Sequence, residues 1–223
     1  MPATRAEVAV CDGLDYAAAL LDIVKAFDGV PWDWLVKQAI ARGYDFWLLR
    51  LFIAVYALGR TILCGKCYST IVLAQCGTTA GGTLATTELR VLLIEFLDYA
   101  CTISPRSLLT VYVDNMTVEA TARERDVVEI IAVVLRYLFS VMGQLRMRLS
   151  DSKCVCIASY VRIGRLLADS VPGLVLRCAP RVTSLGSALG AGTRRNMTVA
   201  RARLKPERFA FDGCVLLESA CPA

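Results

Sequence analysis

The most constraining feature of this chain is a pair of aspartates set in apolar surroundings. The first lies in Leu20-Leu21-Asp22-Ile23-Val24-Lys25-Ala26-Phe27-Asp28. The second lies in Thr110-Val111-Tyr112-Val113-Asp114-Asn115-Met116-Thr117. Each puts an acid inside, or at the tip of, a segment that reads as a buried strand. A buried, unpaired carboxylate costs several kcal/mol, so such an acid ordinarily has a cation. Two of them on adjacent central strands form an oxygen-rich site suited to Mg²⁺. Taken singly, each has a plainer reading: Asp22 ends a strand, and Asp114 makes a turn.

The chain has no histidine among its 223 residues. That excludes Ser-His-Asp and Cys-His hydrolases, His-liganded zinc enzymes and histidine general bases. Hydrophobic residues make up 56% and charged residues 20%, which excludes a disordered tail, a collagen and a coiled coil. The longest uncharged stretch, Cys67 to Thr87, is rich in Thr and Gly and too polar to span a bilayer. The N-terminal residues lack the pattern of a signal peptide. The ten cysteines therefore read as reduced thiols of an intracellular protein, with no membrane partner and with nucleus or cytoplasm left open.

Strand-like, helical and hairpin segments alternate irregularly. The order predicts an α+β fold, an antiparallel sheet flanked by helices, with a small basic segment at the C-terminal end. Ala17–Val24 reads as a strand, and helices are expected from Pro31 and from Asp45. A hairpin is expected around Gly65-Lys66, then a helix over Leu84–Cys101. Strands Leu108–Val113 and Met116–Ala120 flank an expected Asp114-Asn115 turn. Thr121-Ala-Arg-Glu124 reads as a capping box. Leu145–Leu149, Cys154–Ser159, Leu174–Cys178 and Arg181–Leu185 read as strands, and a basic helix is expected near Met197–Phe211. A boundary near residue 160 divides the chain into 1–160 and 161–223.

Charge divides along the chain as well. Residues 1–122 carry nine Lys/Arg and twelve Asp/Glu, a balance of −3. Residues 123–223 carry sixteen and eight, a balance of +8. Arg194, Arg195, Arg201, Lys205 and Arg208 form the densest basic segment, suited either to nucleic-acid phosphates or to a solvated helix face. Cys64-Gly65-Lys66-Cys67 has zinc-knuckle spacing, but Cys154 and Cys156 are one residue apart. No zinc is expected, and buried thiols are the favoured reading.

From about Ala17 to Leu189 the chain resembles the palm of a reverse transcriptase, most like the non-LTR retroelement type. The resemblance makes Asp22 the leading metal ligand of the first catalytic motif. Ile23 would lend a backbone carbonyl, and Phe27 would be the ring that favours deoxynucleotides. Cys76-Gly77-Thr78-Thr79-Ala80-Gly81-Gly82-Thr83 is similar to the family's Gly-rich nucleotide loop, with Ala80 where a glutamine is usual. Tyr112-Val113-Asp114-Asn115 looks like the Tyr-x-Asp-Asp hairpin, with Asn115 in place of the second acid. Lys153 would sit near the triphosphate as a cation or proton donor; it also reads as an exposed turn lysine. Val182-Thr183-Ser184-Leu185-Gly186-Ser187 resembles the Leu-Gly hairpin that holds the primer end.

The resemblance thus implies an RNA-directed DNA polymerase. It would use two Mg²⁺ ions, an RNA template, a DNA primer and dNTP, with Asp22 and Asp114 holding the metals. The family's fingers region is largely missing from the match, as are its endonuclease and RNase H parts. With Asn115 and Ala80, this keeps open a non-catalytic nucleic-acid-binding remnant; an RNA-templated RNA polymerase, which shares the metal logic, and a zinc-stabilised interaction module are the other rivals.

Overall fold

The computed structural model describes residues 2–179, 181–184 and 187–190. The elements run α1 (Pro2–Cys11), β1 (Asp15–Asp22), α2 (Trp32–Ala41), α3 (Phe46–Tyr56), β2 (Leu63–Cys64), β3 (Cys67–Tyr68) and α4 (Ala85–Ile103). They continue as β4 (Ser107–Tyr112), β5 (Asn115–Ala122), α5 (Glu124–Gln144), β6 (Val155–Ala158), α6 (Val161–Asp169), β7 (Arg177–Cys178), β8 (Arg181–Ser184) and β9 (Ser187–Gly190). The architecture is α+β. Its main sheet has five strands in the order β4-β5-β1-β6-β7, antiparallel except for the parallel β6–β7 pair. The sheet continues past residue 160 through β7, and α6 packs beside β6.

β1 is central, and six of its eight residues are buried. Its run Ala17-Ala18-Ala19-Leu20-Leu21 is apolar on both sides, as a strand covered on both faces requires. Ala17, Ala19 and Leu21 join Met116 and Val118 of β5 in the main core, against α4 and α5. α5 supplies a continuous stripe (Val127, Ile131, Val134, Leu135, Leu138, Met142) at helical spacing. On the opposite face, Ala6 and Ala9 of α1 pack over Tyr16, Ala18, Leu20 and Ile157. Strand alternation puts Asp22 on this second face, beyond the cover of α1.

Several boundaries differ from expectation. The β4–β5 turn is Val113-Asp114, one residue earlier than Asp114-Asn115. The capping box does not form: β5 runs on to Ala122, and α5 begins at Glu124 with no side-chain cap. Pairing of Thr121 and Ala122 with Tyr16 and Asp15 takes precedence over the local capping bond. Leu145–Leu149 is not a strand; only Leu149 bridges, to Ile23. α1 and α6 were not anticipated. Both are short, and the buried face of α1 is alanine, a weak hydropathic signal. Asp45 caps α3 as expected, its Oδ1 accepting from Leu48 N at 2.8 Å. The expected helix near Met197–Phe211 lies outside the described residues. No described helix is long and apolar enough to cross a membrane.

The second face also buries a carboxylate. Glu119 of β5 is 3% exposed, and its Oε2 accepts from the Tyr16 hydroxyl at 2.9 Å. Burial, and then the Glu119 charge, raise the Tyr16 hydroxyl pKa well above its ordinary value. Tyr16→Phe should cost about 1–3 kcal/mol, because it strands a buried acceptor. Tyr16→Phe combined with Glu119→Leu should recover most of that loss. Urea unfolding of the single and double variants measures both.

Candidate active site

The site forms where β1 ends. Asp22 pairs with Asn115 in the β1–β5 register, so Asp114 sits one residue beyond, in the turn. Ile23 N donates to Asp114 O at 3.0 Å and ties that turn to the end of β1. On the other edge Ser150 N donates to Asp22 O at 2.8 Å, and Val24 N to Arg148 O at 2.8 Å. Asp22 is thereby fixed from both sides. The carbonyl of Ile23 accepts no backbone hydrogen bond among the described residues.

Asp22 is mostly buried, with a side-chain exposure of 14%, and its cation is Lys153. The ammonium lies 3.3 Å from Oδ1 and donates to Oδ2 at 3.4 Å. Lys153 is exposed, so the pair contributes little to stability; it does place a mobile cation over the carboxylate. Asn115 Nδ2 donates to Asp114 Oδ1 at 2.9 Å. An aspartate at position 115 could not make that bond; it would set a second charge there.

The turn itself is strained. Val113 takes a φ of 56°, a conformation that a β-branched residue rarely adopts and that costs about 1–3 kcal/mol. Lys25, in the loop after β1, has a φ of 49°. Both strained residues adjoin the two aspartates.

Asp22, Asp114, Lys153, Phe27, Ile23 and Ala80 line one cleft of about 360 Å³, together with Val24, Lys25, Ala26, Asp28 and Ser150. Six positions singled out in the sequence therefore meet in one place. Phe27 is half-buried, with its ring against the main core. The Gly77–Gly82 loop forms a wall through Ala80, whereas Gly77, Gly81 and Gly82 do not line the cleft. Gly77 is laced underneath: its N–H donates to Val30 O at 2.8 Å, and its carbonyl accepts from Trp32 Nε1 at 2.7 Å. Thr78 N donates to Phe27 O at 2.7 Å. Gly77 has a φ of 92°, and a Cβ there would lie 2.7 Å from Asp28 O. Its role is to let the loop close on the segment after β1.

Leu185, Gly186, Arg194, Arg195, Arg201, Lys205 and Arg208 lie outside the described residues. Cys64 and Cys67 face each other across the β2–β3 hairpin, far in sequence from Cys154, just before β6, and Cys156 on β6. Among the described residues, no three Cys, Asp or Glu side chains gather around one possible ion.

The sequence reading missed Lys25, Asp28 and Ser150 as lining residues, although Lys25 and Asp28 stand within the first motif. It also missed Trp32, whose indole beside Pro31 was the only available signal. Most of all it missed Glu88, in the first turn of α4, which is wholly buried. Glu88 Oε2 accepts from the Tyr56 hydroxyl at 3.0 Å, while Oε1 and the nearby Tyr44 hydroxyl are buried with no hydrogen-bond partner among the described residues. Tyr56 stands below Gly82, so this polar cluster underlies the glycine loop.

The mostly antiparallel five-stranded sheet, flanked by helices, is a palm-like fold. A truncated apo telomerase from Candida tropicalis has a similar structure, with a TM-score of 0.54 at 11% identity, covering 86% of this chain and 38% of that one. The chain thus spans well under half of that neighbour. No protein-family model matches it, and no curated protein matches it in sequence.

Burial raises the Glu88 pKa above the ordinary 4.5. Burial, and then the Glu88 charge, push Tyr56 up to about 12. A raised carboxylate favours the folded state fully below its unfolded pKa, and that contribution is lost as pH rises through the folded value. Glu88→Gln keeps an acceptor for Tyr56 and brings an N–H donor for its unpaired neighbour. At pH 7 it should be more stable than the parent chain by about 1–3 kcal/mol. The gain should shrink as pH falls through the raised folded value and should be gone below 4.5. Urea unfolding at pH 7 and pH 4 checks the sign.

Proposed function

We propose that this chain is the palm of a reverse transcriptase, of the kind found in non-LTR retroelements, which adds dNTPs to a DNA primer 3′-hydroxyl on an RNA template. One observation carries the reading: the β1–β5 register brings Asp22 and Asp114 to one cleft, in a polymerase-type fold, beside Phe27, Ala80 and Lys153. The likeness to a telomerase structure supports the fold.

The donor set suits Mg²⁺. Two carboxylates and the unengaged Ile23 carbonyl are all hard oxygen ligands, with room for phosphate oxygens and water. Asp22, Asp114 and Ile23 would hold the ions, with Asn115 as a weak neutral neighbour. A pair of Mg²⁺ ions held by these residues would supply activation of a primer hydroxyl and neutralisation of the charge on a leaving pyrophosphate. The remaining work belongs to the chain. The half-buried ring of Phe27 excludes a ribose 2′-hydroxyl. Ala80 and the laced loop behind it shape the wall for base and sugar. Lys153, already over Asp22, moves to the triphosphate and protonates the leaving group. The Arg194–Arg208 cluster holds the duplex backbone.

A second reading has its own support, since Asn115 removes one site charge and ties up an Asp114 oxygen. On that reading the chain binds template and primer without extending them. Primer extension with Mg²⁺ decides between them. Asn115→Asp should raise dNTP incorporation on the order of tenfold or more, and Asp22→Asn should abolish it. No incorporation by Asn115→Asp would sink the polymerase reading. Equal use of rNTPs and dNTPs, unchanged by Phe27→Ala, would point to an RNA polymerase.

A further inference from the structure

The two-residue edge strand β7 sits beside β6 in parallel register, with Cys178 directly opposite Cys156. The two sulfurs are 3.2 Å apart. Cys64 and Cys67 are also cross-strand partners, on β2 and β3, but Cys156 and Cys178 are the pair whose thiols are in contact. The partners differ in access: Cys156 is wholly buried, and Cys178 is exposed. α6 closes the site from below. Cys156 Sγ donates to Gly164 O at 3.4 Å, and a Cβ on Gly164 would lie 3.5 Å from Cys178 Sγ and 3.9 Å from Cys156 Sγ. α6 therefore packs directly against both sulfurs at Gly164.

We propose that Cys178 is a site of reversible thiol oxidation by hydroperoxides, with Cys156 as the thiol that closes it into a disulfide. The chemistry balances in two steps. The Cys178 thiol reacts with hydrogen peroxide to give a sulfenic acid and one water. The O–O bond breaks, an S–O bond forms, and sulfur loses two electrons. The Cys156 sulfur then attacks the Cys178 sulfur, the S–O bond breaks, and the hydroxyl leaves as a second water with the Cys156 proton. Directly paired residues on neighbouring strands stand about 4.8 Å apart. That lies within the range of about 4.4–6.8 Å that a disulfide spans. Burial, and then the neighbouring thiol, push Cys156 up to about 12. It stays protonated and inert until its partner is oxidised, and the exposed thiol reacts first.

The consequence falls on β7. Its ladder to β6 includes Arg177 N to Cys154 O at 3.1 Å and Ala179 N to Cys156 O at 2.9 Å. A covalent link at the same position fastens this short edge strand, and the chain that leads on to β8, to the sheet that carries Asp22. The site does not depend on the polymerase chemistry and survives if that reading fails.

The folded chain is treated with a small excess of hydrogen peroxide, blocked with N-ethylmaleimide, digested and mapped by mass spectrometry. The expected product joins Cys156 to Cys178 with loss of two hydrogens, is reversed by dithiothreitol, and melts at a higher temperature than the reduced chain. In Cys156→Ala, dimedone labelling of Cys178 after peroxide should rise several-fold over the parent chain, because nothing resolves the sulfenic acid. Peroxide that modifies Cys178 in the parent chain without the Cys156 link, or that links Cys178 to another cysteine, overturns the proposal. The first measurement needs no variant and so does not depend on the fold tolerating a substitution.

Discussion

The rest of the site depends on the pairing of β1 with β5. β1 is hydrogen-bonded on both edges, and these bonds hold the backbone of its last residue, Asp22, in place. The register puts Asn115 opposite it and leaves Asp114 one step beyond, held by the bond from Ile23 N. A slip of one residue would turn every side chain of β5 to the other face, burying Thr117 and Glu119 against α5 and carrying Met116 and Val118 out of the main core. The hydrophobic alternation of β5 thus sets the position of the aspartates. Local preferences act against the arrangement: Val113 sits in a strained turn, and an acid faces an apolar sheet. Such conflicts persist only where the surrounding packing over-determines them.

The site is also supported from a layer behind it. The glycine loop does not hold itself; Trp32, Phe27 and Val30 bind its backbone, and the Tyr56–Glu88 pair lies beneath. Glu88 is the costly member, a buried carboxylate with one oxygen unpaired. Arg60 extends the same layer, its guanidinium donating to Tyr56 O and Thr79 Oγ1, each at 3.4 Å. A chain selected for stability alone would place an apolar residue at position 88.

Much of this was legible in the sequence. The two aspartates declared themselves because an acid in an apolar run is expensive, and the fold class followed from the irregular order of elements. The α3 cap at Asp45 was a local signal that tertiary structure left intact. The failures have different causes. The capping box at Thr121 lost to strand pairing, a long-range contact that outweighed the local pattern; the segment Leu145–Leu149 reduces to a single bridge; and the described buried residues of α1 are alanines, which give little hydropathic signal. Glu88 carried no local signal, because an acid in the first turn of a helix is commonplace. Only its burial marks it.

The central claim is that Asp22 and Asp114 together make a divalent-cation site. Titration of the folded chain with Mn²⁺, followed by the loss of the free-ion EPR signal, tests it without substrate. The account predicts saturable binding that Asp22→Asn and Asp114→Asn each weaken severely while the fold, read by circular dichroism, is unchanged. Binding that is indifferent to both substitutions, or absent from the parent chain, would contradict it.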